Sequence, residues 1–199
     1  MYRALDTSKR QPTVIFIQEL PQIYDELFVQ KLLPNYGLYV NRKCNLLTCI
    51  HPMWNQFAMP EETNLHRTQC IPLQILSPRL GWLTFSLINV YGPSRNNIER
   101  PLIQNELDRI VTPLSLLGGD FNGIYTRADS TTVTAQQLMW TYLQEQTGHA
   151  PSPTPAPCLW TDTWRFCRPN DQGHTRIRGS PVYGKGTSRL DYLFMTINK

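Results

Sequence analysis

Residues 14–17, Val-Ile-Phe-Ile, form a β-branched and aromatic run of strand length that stops at Gln18-Glu19. The pattern predicts a strand with a carboxylate at its C-terminal end. Pro21 then falls where the first turn of a helix accepts proline, and Ile23, Leu27, Phe28 and Leu32 recur at helical spacing up to Pro34. Residues 36–40, 44–50 and 70–76 read as strands whose alternation implies antiparallel neighbours. Residues 83–91 alternate apolar with polar and end at Gly92-Pro93, which places Asn89 and Tyr91 on one face at a strand end.

A helix follows, with Asn97 as a capping residue and Pro101 near its start. Ile98, Leu102, Ile103, Leu107, Ile110 and Val111 form its apolar stripe, and Pro113 ends it. Residues 114–117 are of buried-strand type, and Gly118-Gly119 predicts a sharp turn that presents Asp120, with Asn122 two residues on. A third helix is predicted over 135–146, closing at Gly148. Pro151, Pro153, Pro155 and Pro157 then impose an extended spacer within the domain, and the last strand covers 189–196. Strands alternating with helices, mixed with strand runs joined by tight turns, predict an α/β sandwich. Two mixed sheets would pack together with helices over their outer faces.

The 199 residues, 41% of them hydrophobic, are enough to bury roughly 70% of the unfolded surface around one core. A single domain over 1–199 is therefore expected. The longest uncharged apolar stretch, 80–94, is interrupted by Thr84, Ser86 and Asn89 and falls short of the ~20 residues of a membrane-spanning helix. Residues 1–20 lack the basic-then-apolar order of a signal peptide, and five cysteines without paired close spacing read as free thiols in a reducing, intracellular setting. Cys44, Cys49 and His51 invite a zinc reading, but no second ligand pair follows at finger-like spacing, so buried strand cysteines are expected. The net charge of +4 suits a polyanionic partner and requires none.

The predicted strand ends deliver Glu19, Asn89 with Tyr91, Asp120 with Asn122, and Ser188-Arg189-Leu190-Asp191. This set is rich in hard oxygen ligands and poor in nucleophile-plus-base pairs. A magnesium ion keeps several waters and takes one or two carboxylates plus substrate phosphate oxygens, so phosphate chemistry is the natural inference.

Ile17-Gln18-Glu19, Asn89-Val90-Tyr91-Gly92-Pro93, Gly119-Asp120-Phe121-Asn122 and Ser188-Arg189-Leu190-Asp191-Tyr192, in that order, resemble the endonuclease/exonuclease/phosphatase superfamily. With Asp162-Thr163-Trp164-Arg165 before the last motif, the chain is most similar to the apurinic-type endonuclease domains of non-LTR retrotransposons, over about residues 13–197. The resemblance implies a DNase I-like, four-layer sandwich that hydrolyses nucleic-acid phosphodiesters with Mg²⁺ or Mn²⁺. DNA is the implied partner, the nucleus one implied compartment, and no obligate protein partner is implied. Carried onto matching positions, Glu19 would ligate the metal, Asp120 would activate or position the attacking water with help from Asn122, and Tyr91 would contact the phosphate. Asp191 would orient a histidine and stabilise its protonated form. Asn89, Arg95, Arg127, Trp164 and Arg189 are candidate nucleic-acid contacts, with Arg176 and Arg178 nearby.

In the family that histidine lies in a Ser-Asp-His strand after Asp191, whereas here eight residues follow Asp191 and none is His. The family also opens with an Asn-bearing strand that residues 1–18 do not supply. The resemblance therefore implies a domain lacking its first and last strands, with His174 as the one histidine a hairpin could bring near Asp191.

Each candidate also has a plainer reading. Glu19 could be a surface carboxylate at a helix N-terminus, and Asp120 and Asn122 could be turn formers. Asn89 and Tyr91 could close a strand end, Asp191 could pair with Arg189, and Trp164 could pack in the core. Two other functions fit the same residues: a non-catalytic remnant or nucleic-acid-binding module, and a small-phosphoester phosphatase or phosphodiesterase.

Overall fold

Short apolar runs at 14–17, 37–41 and 46–50 pair in the computed structural model as one sheet, in the order β1-β3-β2 and antiparallel throughout. The strands are β1 (Val14–Ile17), β2 (Gly37–Asn41) and β3 (Leu46–Ile50), and helix α1 (Glu26–Leu32) covers one face. The structure describes residues 11–21, 26–59, 63–93, 98–126, 129, 140–151, 158–171, 176–180, 184–188 and 190–198. Period-two alternation sends Leu47 and Cys49 toward α1 with Ile15, Ile17, Leu38 and Val40, against Leu20, Val29, Leu33 and Tyr36. The expected α1 stripe is corrected here. Leu27, Phe28 and Leu32 are exposed and Val29 and Leu33 are buried, while Ile23 lies outside the described residues.

After the short helix α2 (Pro52–Asn55), a six-stranded sheet runs in the order β4-β5-β6-β7-β11-β8. Its strands are β4 (Thr63–Asn64), β5 (Thr68–Ser77), β6 (Gly81–Tyr91), β7 (Ser115–Asp120), β8 (Cys158–Asp162) and β11 (Asp191–Asn198). β6 and β7 are parallel, and helix α3 (Arg100–Ile110) supplies the crossover that parallel neighbours require. Ile103 and Leu107 of α3 are fully buried, whereas Ile98 and Leu102 of the expected stripe are exposed. The described part of the third helix, α4 (Thr141–Gln146), packs Tyr142 and Leu143 on the same face, with Trp160, Phe194 and Phe121 beneath. Residues 130–139 and 152–157, with the predicted helix start and most of the proline spacer, lie outside the described residues, as does Asn97.

The other face of the large sheet meets the small one. Ile71, Leu73, Phe85, Leu87 and Leu116 pack against Val14, Phe16, Tyr39 and Ile50, giving four layers: α1, small sheet, large sheet, α3 with α4. Gly118-Gly119 does not form the expected turn, because β7 runs on through Asp120. These glycines serve close approach instead. A Cβ on Gly118 would strike the Phe16 ring, and one on Gly119, at φ +141°, would strike the Val90 carbonyl. Sequence reading also missed β4, β8, α2, helix α5 (Thr163–Cys167) and the hairpin of β9 (Arg176–Ser180) with β10 (Gly184–Ser188).

Candidate functional site

Strand register aligns the chemistry-bearing residues. Tyr91 at the end of β6 is the partner of Asp120 at the end of β7, and Asp120 is in turn the partner of Asp191 at the start of β11. Counting by twos from Leu87, Leu116 and Leu193, which line the space between the sheets, puts all three on the face turned toward the small sheet. They form one row across the ends of three neighbouring strands.

The small sheet contributes from the opposite wall. Strand alternation puts Gln18 on the inner face with Val14 and Phe16, and its amide donates to Asn89 Oδ1 at 2.6 Å. The same alternation would send Glu19 outward with Ile15 and Ile17. Its backbone instead adopts the left-handed conformation, φ 56°, and the carboxylate swings back to accept a short hydrogen bond from the Tyr91 hydroxyl. That conformation costs a non-glycine residue about 1–2 kcal/mol.

Asn89 is corrected from a nucleic-acid contact to an internal bridge. It is fully buried, and its amide donates to the carbonyls of Ile17 and Leu47 and to Thr48 Oγ1 at 3.1–3.3 Å. Three strands of two sheets are thus tied beneath the site. Asn122, also left-handed at φ 47°, is buried, and its side chain donates to Gly92 O at 2.9 Å. Its backbone N–H donates to Asp120 Oδ1 at 2.8 Å and so orients that carboxylate.

Electrostatics center on Tyr91. Burial, the hydrogen bond to Glu19 and the negative charges of Glu19 and Asp120 push its phenol up to about 12, with Arg67 acting in the opposite direction. The Arg67 guanidinium lies over the Tyr91 ring, 5.3 Å from its centroid, and pairs with Glu99. Sequence reading missed Arg67, which belongs to no motif. It also passed over Gln18, although two-residue spacing from Phe16 marks its inward direction.

Trp164 stands at the start of α5, which Asp162 caps by accepting from the N–H groups of Trp164 and Arg165. The ring is partly exposed and carries Arg168 at 5.0 Å, so it is not a core residue. Arg95, Arg127, Arg189 and His174 lie outside the described residues, and the side chains of Arg176 and Arg178 are not described. His51 contacts Gln11 and Tyr36, and His149 packs on Tyr125. Cys49 is a buried strand residue as expected, whereas Cys44 is corrected: it lies in the turn between β2 and β3, outside either strand, and is only partly buried. Among the described residues, no three His, Cys, Asp or Glu side chains group closely enough to cage a metal, and no helix is long and apolar enough to cross a membrane.

Four layers with a row of polar side chains at the strand ends define the DNase I-like class of α/β fold, the class of the endonuclease/exonuclease/phosphatase domains that the motifs resemble. Among solved structures, the chain is similar to the endonuclease domain of TRAS1, a telomere-specific non-LTR retrotransposon. The TM-score is 0.56 at 15% identity, over 98% of this chain and 78% of that one. It is also similar to the catalytic domain of APE2 from Xenopus laevis, with a TM-score of 0.57 at 17% identity, over 92% of this chain and 74% of that one. No family model and no curated protein matches the sequence.

Proposed function

We propose that the row of polar side chains at the strand ends is a divalent-metal-assisted phosphodiesterase site acting on nucleic acid, of the type borne by the TRAS1 endonuclease domain. The observation that carries this reading is the convergence of Glu19 from one sheet with Tyr91, Asp120 and Asp191 from the other. The left-handed backbone of Glu19, which turns its carboxylate inward as Leu20 seats in the core, supports it further, since such strain persists where its surroundings over-determine it.

The donor set fits magnesium or manganese. Glu19 and Asp120 meet there on either side of the Tyr91 phenol, and a magnesium ion that keeps most of its waters takes only one or two such carboxylates. Glu19 would hold the ion, which when bound supplies charge to offset that developing on the phosphate. Asp120, its carboxylate fixed by the Asn122 N–H, orients and deprotonates the attacking water. Tyr91, its hydroxyl held on Glu19, stands beside Asp120 where the phosphate would lie, and Asp191 is exposed at the other end of the row. The mild excess of basic residues favours a polyanionic substrate such as DNA.

The test is nicking of supercoiled plasmid by the full chain with Mg²⁺ or Mn²⁺. Asp120→Ala is expected to lower the rate by about 100-fold or more, and Glu19→Gln to raise the metal concentration needed. Nicking that persists in Asp120→Ala overturns the assignment. DNA binding without any nicking would identify a non-catalytic nucleic-acid-binding domain instead.

A further inference from the structure

We propose that Arg67 is a positioning residue of this site: held by Glu99 at the head of α3, its guanidinium braces the Tyr91 ring so that the phenol lies on Glu19 at the strand ends. The proposal rests on the phosphodiesterase reading above, in which Tyr91 meets the phosphate.

The backbone of Arg67 is fixed on two sides. Its carbonyl accepts the Tyr91 N–H at 3.0 Å, which ties it to the strand end that carries the phenol. On the other side, Glu106 of α3 accepts the N–H groups of His66 and Arg67 at 2.8 and 3.2 Å and the Thr68 hydroxyl at 2.9 Å. Little freedom remains for the Cα.

The side chain then spans from α3 to the site. One Nη is paired with Glu99, and the guanidinium lies over the Tyr91 ring. Its Nε is buried without a hydrogen-bond partner, an arrangement that costs about 1–3 kcal/mol. A guanidinium reaching for water or for a bound anion would not hide that donor. Its pose sets the cation over the ring, 5.3 Å from the centroid, where it is attracted to the aromatic face. Tyr91 sits at a strand end followed by Gly92-Pro93, and its outer face is closed by Arg67. Without the brace the hydroxyl loses its fixed direction toward Glu19, and the transition state suffers more than ground-state binding of the polymer.

The experiment uses the full chain labelled with 3-fluorotyrosine, with Tyr91→Phe assigning the ¹⁹F resonance of Tyr91. Arg67→Met and Glu99→Gln are both expected to shift or broaden that resonance. In plasmid nicking they are expected to lower kcat by roughly tenfold to a hundredfold with KM nearly unchanged. Arg67→Lys keeps the charge but not the planar contact, and is expected to behave like Arg67→Met. Full rescue by lysine, or a rise in KM with kcat intact, would show that Arg67 acts as a simple phosphate attractant and would overturn the proposal. An unmoved ¹⁹F signal overturns it as well. Should Arg67→Met fail to fold, Glu99→Gln, which leaves the Arg67 backbone bonds in place, carries the same readouts. Absence of nicking by the unmodified chain defeats the phosphodiesterase reading, and the fluorine signal alone then decides whether the brace exists.

Discussion

At the scale of single residues, burial has shifted several acids in one direction, and the consequence for stability can be signed. The Cys49 thiol, fully buried in β3, is pushed up to about 12, and Cys44 to about 11, chiefly by loss of water. Tyr91 is also raised to about 12. Each group is neutral in both folded and unfolded chains near neutral pH, so the shift has no effect there. Once the pH passes the ordinary thiol value of 9.0, the unfolded chain ionises and the folded one does not, so stability is lost progressively toward pH 12. The urea midpoint should therefore be flat near neutrality and fall from about pH 9, and Cys49→Ala should flatten part of that slope. An identical slope in Cys49→Ala would refute the assignment. Glu19, Tyr91 and Asp120 could be read from sequence because each terminates an apolar strand, and strand ends are where side chains escape the ladder. Asn89 occupies an equally regular position, yet what surrounds it is a second sheet, and no local pattern reveals that an amide will be closed over. Arg67 is legible from neither side, since its partners are Glu99, 32 residues on, and Tyr91, whose ring it meets only after β5 and β6 pair.

At the scale of elements, a five-residue helix such as α5 cannot stand on its own hydrogen bonds and depends on its anchors. Asp162 caps it while accepting the Tyr125 hydroxyl at 2.6 Å, and Arg165 pairs with the fully buried Asp129 at 2.7 Å. Asp129 also accepts from the backbone and hydroxyl of Thr126, so one carboxylate joins the segment after β7 to the helix after β8. Arg165→Met would strand that charge in the interior and should cost about 3–5 kcal/mol. Asp129→Asn with Arg165→Met should recover part of the loss, and urea denaturation of the two variants checks both expectations. A single variant within about 0.5 kcal/mol of the unmodified chain would show the pair to be dispensable. This polar clasp explains why α5 escaped sequence reading: with only five residues there is no periodicity to see, and its signal is a capping aspartate in a motif read for other reasons. The α1 stripe failed for a related cause. Leu27, Phe28 and Leu32 have the right spacing for a buried face, but the face that packs is set by where β1 and β3 present Leu47 and Cys49, and it selects Val29 and Leu33.

At the scale of the molecule, the two sheets were legible as layers because alternation and strand-end motifs recur in both halves of the chain. Their join was not, because it is made by contacts 42 and 71 residues apart, Asn89 to Leu47 and Gln18 to Asn89. Beside that join the sheets leave an apolar cavity of about 460 Å³ lined by Val14, Phe16, Ile75, Phe85 and Leu193 among others. Further along, β5 and β6 run past the reach of α3. Leu76 and Trp82 are direct cross-strand partners there, on the face that α3 covers nearer the site, and they are 59% and 65% exposed with Leu80 at 74% beside them. Adjoining exposed apolar side chains are a surface through which copies of a chain can pack. The chain should therefore self-associate, and the association should run through this tip. Leu76→Glu with Trp82→Lys alters only exposed side chains and leaves an opposite-charge cross-strand pair, so stability should stay within about 1 kcal/mol, while charged side chains at a strand tip deny an approaching copy its apolar contact. Sedimentation velocity across a concentration series is the measurement. A concentration-dependent weight-average mass that collapses to the monomer in the double variant supports the hairpin tip as the contact, whereas a variant that associates as strongly as the unmodified chain places the contact at another surface, with the open inter-sheet cavity the next to be charged.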